Sequence, residues 1–181
     1  MVNGFPAVTA LLPALLLAAT GLGLLLVDTI RPDARSNTSM AVIGALGSLV
    51  ALAATVWLTA TGVGGEDAGA VYLFADAVKV DTMALFFTAI FASVTSLVLV
   101  AAHDYFDDHA NPAAFYSLVT FAATGMALLA VANSLAVVFV ALEMVSLPSY
   151  VLVAYLKQDR GSVEAGLKYF LVGALSSAIF L

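Results

Sequence analysis

An all-α membrane bundle of about six crossings is the fold class this sequence predicts, on three observations. Hydrophobic residues make up 63% of the chain and charged residues 10%, with a mean hydropathy of +1.09, against roughly 25% charged in a soluble average. Charge-free runs at 1–27, 36–65, 82–102 and 109–142 each reach the roughly 20 apolar residues that a helix needs to cross a bilayer core. Those runs are continuous rather than alternating, which disfavours a closed β-barrel.

The first span is placed at 6–27. The opening "MVNGFPAVTALLP" has no Lys or Arg, so it reads as a retained span rather than a cleaved signal peptide. The second span, 39–62, follows a loop carrying Arg31 and Arg35. Before the third span, 82–102, the segment "AVYLFADAVKVDTMALFF" alternates enough near Val71–Val80 to predict a short strand or hairpin. The apolar run from 109 to 156 is too long for one crossing. It is divided at "ANSLA", residues 132–136, into spans 113–133 and 135–156 joined by a tight turn. Pro112 suits the first turn of the fourth helix, where its missing N–H costs nothing. A sixth span begins near residue 163, and its run to "GALSSAIFL" without a polar flank leads us to expect the leading part of a longer chain.

Arg31 and Arg35 in one loop and Lys157 and Arg160 in another fall on the same side of six alternating spans. That side is expected to be cytoplasmic, which puts the N-terminus outside; the opposite side carries only Lys79. The chain is thus expected to be a multi-pass protein of the cell membrane, in contact with lipid. Its net charge of −6 sits in loops such as "GGEDAG" and "HDYFDDH", which argues against nucleic acid as a partner. The nine Asp fit either adaptation to high salt or ordinary acidic loops. Zero Cys excludes disulfides, thiolate metal sites and cysteine-ligated iron–sulfur clusters on this chain. No Walker loop, HExxH, GxSxG or dinucleotide fingerprint occurs.

Glu143 is the first candidate for chemistry, in "VFVALEMVSLPSYVL", with no other charge between Asp108 and Lys157. A charge at mid-helix costs about 2.5–3.5 kcal/mol on insertion scales, so intramembrane acids face protein or water and usually have a role. Desolvation disfavours a charged carboxylate and a nearby cation favours it, so such an acid can be set to exchange protons. The plainer alternative is a protonated Glu bonded to a neighbouring helix. Pro148, five residues on, denies the Met144 carbonyl its helical donor and is expected to loosen or kink the helix there. Ser146 and Tyr150 share the face of Glu143 and are placed to hold water beside it.

Lys168 is the second candidate, in "EAGLKYFLVGALSS". At 1.5 Å per residue, Glu143 lies roughly 20 Å from Leu156 and Lys168 roughly 8 Å from Val163, so the two differ in depth and a direct salt bridge is not assured. The alternative for Lys168 is a snorkelling residue supported by Glu164 one turn earlier. Weaker candidates are a metal site at His103, Asp107 and His109, more simply read as a solvated surface, and Asp81, read as a helix N-cap before a proton-entry role. The small residues of "GALG" and "GALSS" fit close helix packing rather than phosphate binding.

The stretches "GMALLAVANSLAVVFVALEMVSLPSYVLVAY" and "SVEAGLKYFLVGALSSAIFL", with "VDTMALFF" and "FYSLVTFAATGM" before them, resemble the antiporter-like membrane subunits. That family serves proton-translocating NADH-quinone oxidoreductase (respiratory complex I), multi-subunit sodium/proton antiporters and membrane-bound hydrogenases; "GLKYFLVGALSS" is most similar to its subunit N branch. The resemblance covers about residues 70–181. It divides the chain into leading helices 1 and 2 with an outer loop, 1–69, and a partial proton-translocation domain, 70–181. It implies inverted helical repeats with half-channels, and that Glu143 corresponds to the fifth-helix glutamate and Lys168 to a sixth-helix lysine. In the family that glutamate modulates the proton affinity of a lysine on a broken seventh helix, which these residues do not include. It also implies partner membrane subunits, and quinone, flavin and iron–sulfur clusters held by other subunits, with no cofactor here. The expected function is coupling of quinone reduction to proton translocation through Glu143 and Lys168; an antiporter or hydrogenase subunit and a non-conducting scaffold are the rivals.

Overall fold

A computed structural model of the chain describes residues 7–30, 37–65, 69–105, 112–155 and 160–180. Arg31, Arg35 and Lys157 of the orientation argument, and Asp107 and His109 of the metal candidate, lie outside the described residues. A 3₁₀ turn, Ala7–Leu11, leads into α1 (Leu12–Ile30), followed by α2 (Asn37–Ala60), β1 (Val71–Leu73), β2 (Val78–Val80), α3 (Thr82–Tyr105), α4 (Pro112–Ala130), α5 (Leu135–Val153) and α6 (Arg160–Phe180). Six helical segments are long and apolar enough to cross a membrane, with mean hydropathies from 1.3 in α6 to 2.4 in the first. The chain is a multi-pass membrane protein, all-α apart from one hairpin.

Helices α1–α4 form a bundle, α5 docks on α4, and α6 packs on α5. The bundle's middle layer is mostly alanine, with Ala14, Ala51, Ala92, Ala123 and Ala127 around Leu17. In lipid there is no hydrophobic drive between helices, so small side chains that let backbones approach supply the packing. Buried hydroxyls there turn back onto their own helices: Thr55 donates to the Ala51 carbonyl, Thr88 to Ala84 and Thr120 to Tyr116. At one end of the bundle, buried Tyr116 donates to Asn37 Oδ1 at 2.8 Å, and Asn37 Nδ2 donates to the His103 carbonyl at 2.7 Å, tying α2, α3 and α4 together.

The hairpin predicted near 71–80 closes the opposite end. Val71 pairs with Val80 and Leu73 with Val78, antiparallel, and all four side chains are buried against Ala10, Leu11, Leu58 and Val131. Phe74, Ala75 and Asp76 in its turn have positive φ, 52–63°, a conformation costly for residues other than glycine. Asn133 holds that turn from the α4–α5 connection: its side chain donates to the Asp76 carbonyl at 2.7 Å and its backbone N–H to Ala77 at 2.9 Å. Lys79 N–H likewise donates to the Val131 carbonyl. This pairing ends α4 at Ala130, three residues short of the 133 expected from periodicity. Ser134 then caps α5, its hydroxyl accepting from Val137 N–H. Gly64, at φ +76°, lies against the Asp81 backbone, where a Cβ would stand 2.6 Å from a backbone carbon. Only glycine suits both demands.

Candidate functional site

Glu143 sits half-buried near the middle of α5, nine residues after its N-cap, and faces α6. Four contacts set the antiparallel register of those two helices. Gly166 lies under Ala154, where an added Cβ would be 2.5 Å from the alanine Cβ. Gly173 lies under the Tyr150 ring, with its Cβ position overlapping the hydroxyl. Phe139 stacks on Phe180 with ring centroids 6.3 Å apart. Between the last two contacts, the Ser177 hydroxyl donates a hydrogen bond to Glu143 Oε1.

Ser146 and Tyr150, expected beside Glu143, line a groove of about 250 Å³ between α5 and α6. Tyr169, Ser176 and Ser177 bring their hydroxyls to the same groove, and Phe139, Leu142 and Phe180 form its apolar walls. A water takes about 30 Å³ of liquid volume, so several fit, with polar partners at hand. The helix runs through Pro148 without interruption of its secondary structure, and no break accompanies it. Ser146 and Ser149 donate to the Leu142 and Val145 carbonyls on either side of Met144. Gly125 of α4 packs on this same segment, where a Cβ would stand 2.7 Å from Val145 N.

Lys168 does not meet Glu143. Its ammonium pairs with Glu164, one turn earlier, at 2.5 Å, and both side chains are about two-thirds exposed within this chain. Nine residues separate Lys168 from Ser177, about 14 Å of helix, so the depth difference expected from the sequence is present. The candidate site therefore has two parts, a carboxylate with a hydroxyl donor and an acid–base pair about two and a half turns away.

Of the weaker candidates, Asp81 and His103 lie among the described residues. Asp81 caps α3, its carboxylate accepting from Ala84 N–H at 2.8 Å and pairing with Lys79 at 2.8 Å. The hydrogen bond from Lys79, with that from Ala84, holds the Asp81 carboxyl below its ordinary range, and Asp81 in turn raises Lys79. His103 contacts Thr38 Oγ1 through Nε2 at 2.9 Å and Asp104 through Nδ1 at 3.1 Å. Among the described residues, no three His, Asp or Glu side chains converge as a metal site would require. Ser177 is the site residue that the sequence reading passed over, having counted it only as a small packing residue. The glycines at 166 and 173 were the available signal, because they fix which face of α6 meets α5.

The chain is similar to known membrane proteins over most of its length. The family described as NADH:quinone oxidoreductase/Mrp antiporter, transmembrane, matches residues 132–181. NADH-quinone oxidoreductase subunit N 2 of Koribacter versatilis is 34% identical over 172 residues, which is 94% of this chain and 35% of that protein. The F(420)H(2) dehydrogenase subunit N of Methanosarcina mazei is 34% identical over 175 residues, covering 94% of this chain and 34% of its own. Among solved structures, a chain of respiratory complex I from Thermus thermophilus, with bound aureothin, superposes with a TM-score of 0.71 at 28% identity, covering 92% of this chain and 34% of that one. The chain thus spans about a third of the length of the relatives it matches. On this likeness over nearly all of its residues, the chain belongs to the antiporter-like membrane subunits of the NADH-quinone oxidoreductases, in the subunit N branch.

Proposed function

We propose that this chain is part of the membrane subunit through which a complex I-like quinone oxidoreductase moves protons, with Glu143 as the group that gains and loses the proton. The observation carrying this reading is Glu143 itself: a half-buried acid near the middle of an apolar helix, bonded across the interface by Ser177, a residue that also lines the hydroxyl-bearing groove. A carboxylate is expensive in hydrocarbon unless protein or water receives it, and this one has a hydroxyl partner, Ser177, that lines a groove with room for water. The relatives' names supply the assembly in which such a proton would do work.

In this mechanism a cation approaching Glu143 stabilises its carboxylate, and withdrawal of that cation drives proton uptake. Lys168 with Glu164 is a second charge-bearing station on α6. Its exposure within this chain calls for neighbouring protein or water, since an ion pair facing lipid tails is disfavoured. Other membrane subunits of the assembly are the proposed neighbours. Quinone, flavin and iron–sulfur clusters are assigned to other subunits, and the chemical energy reaches Glu143 as a change of charge or conformation.

The test is Glu143→Gln in the assembled complex, reconstituted in proteoliposomes, with protons moved per quinone reduced as the readout. Loss of translocation is expected. The runner-up, a cation/proton antiporter subunit, is favoured by the family description, which covers both kinds of protein. Sodium-driven proton movement without quinone in the same vesicles would select it.

A further inference from the structure

We infer that Ser177 is a positioning residue for Glu143, fixing its carboxyl at the interface between α5 and α6; this rests on the proton-transfer reading above. The evidence begins with what helical hydroxyls otherwise do. Thr88, Thr95, Thr120, Thr124, Ser146 and Ser149 each donate to the carbonyl four residues back on their own helix, the usual resting bond of such side chains. Ser177 donates instead across the helix interface, to Glu143.

The register of the two helices is what brings the hydroxyl and the carboxyl together. Gly173, one turn before Ser177, is held against Tyr150, which also meets the Tyr169 ring edge-on at 4.8 Å and Phe170 at 5.7 Å. Phe180, one turn after it, is stacked on Phe139. Tyr150 and Phe139 bracket Glu143 along α5 as Gly173 and Phe180 bracket Ser177 along α6. The hydroxyl is thus presented at the carboxyl by contacts on both sides. It also lines the groove shared with Ser146, Tyr150, Tyr169 and Ser176, so it stands between Glu143 and any water held there.

The experiment uses the assembled complex in proteoliposomes with Ser177→Ala, Ser177→Thr, Ser177→Cys and Glu143→Gln. Two readouts are taken: protons moved per quinone reduced, and the infrared carboxyl stretch that Glu143→Gln abolishes. Ser177→Ala is expected to move that stretch to higher wavenumber, as its carbonyl loses a donor. It should lower the proton ratio by about tenfold, the scale of one hydrogen bond to a charged group. Ser177→Thr, which keeps the hydroxyl, restores both, and Ser177→Cys, a weak donor, falls between and serves if the alanine variant does not assemble. An unmoved stretch in Ser177→Ala or Ser177→Cys overturns the inference, even if thermal stability falls, because packing alone would then explain the residue. A stretch that moves while Glu143→Gln still pumps normally leaves the positioning role standing and removes the proton-transfer reading instead.

Discussion

Helices α1–α4 and the pair α5–α6 use similar residues to opposite ends. In the bundle, α2 and α4 each bury nine residues, whereas α5 buries three and α6 only Gly166. Several of the bundle's buried threonines, Thr55, Thr88, Thr120 and Thr124, bond their own helices, and an interhelical polar cluster around Asn37, His103 and Tyr116 lies at the end of the spans. The pair carries Glu143, half-buried at the helix interface, and the Glu164–Lys168 pair, about two-thirds exposed within the chain. Stability and chemistry are thus separated: the first four helices build a platform, and the next two hold groups whose surroundings must be completed by protein or water.

The largest expected effect comes from striking the seam between those regions. Gly125→Leu forces a side chain into the backbone of Met144–Val145. Overpacking of this kind costs about 1–3 kcal/mol or more, so α5 should undock from α4, seen as loss of assembly and as new protease sensitivity in α5–α6 with the bundle still resistant. Uniform sensitivity throughout the chain would show that the two regions are one cooperative unit.

A smaller effect is expected on the functional side. Lys168→Gln should lower the proton ratio a few-fold, corresponding to about 0.5–2 kcal/mol of coupling, without destabilising the bundle. An unchanged ratio would reduce Lys168 to the snorkelling residue that its pairing with Glu164 also allows.

The smallest effect on proton movement belongs to the platform. Asp81→Ala removes the α3 cap, worth about 0.5–2 kcal/mol, while the exposed Lys79 pair adds little under solvent screening. Because the folded Asp81 carboxyl lies below its ordinary value of 3.8, its contribution is present above that value and fades as pH falls through the lower, folded one. Wild-type thermal stability should therefore drop toward the Asp81→Ala level only in that acid window. A difference between the two that persists unchanged at the lowest pH contradicts this account of the cap.

Much of this was legible in the sequence because membrane spans obey one dominant constraint. Charge-free length located α1–α3, the long apolar run from 109 to 156 held α4 and α5, apolar composition located α6, the alternation at 71–80 located the hairpin, and "ANSLA" located the α4–α5 turn, since each follows from local composition. The end of α4 was not legible: Val131–Asn133 are drawn into pairing with a hairpin some 50 residues earlier, a contact that periodicity does not carry. Glu143 stood out as an isolated charge, and the arithmetic of helix rise already separated it from Lys168. Ser177 did not stand out, because a serine in an apolar helix has the same sequence signature whether it bonds its own backbone or a carboxylate across an interface.

The central claim is that Glu143 is the proton-exchanging group of the α5–α6 pair, and Glu143→Gln tests it most directly. In proteoliposomes holding the assembled complex, the account predicts that quinone reduction by the variant is no longer accompanied by proton translocation, while thermal stability of the bundle is retained. Proton translocation at the wild-type ratio would contradict it.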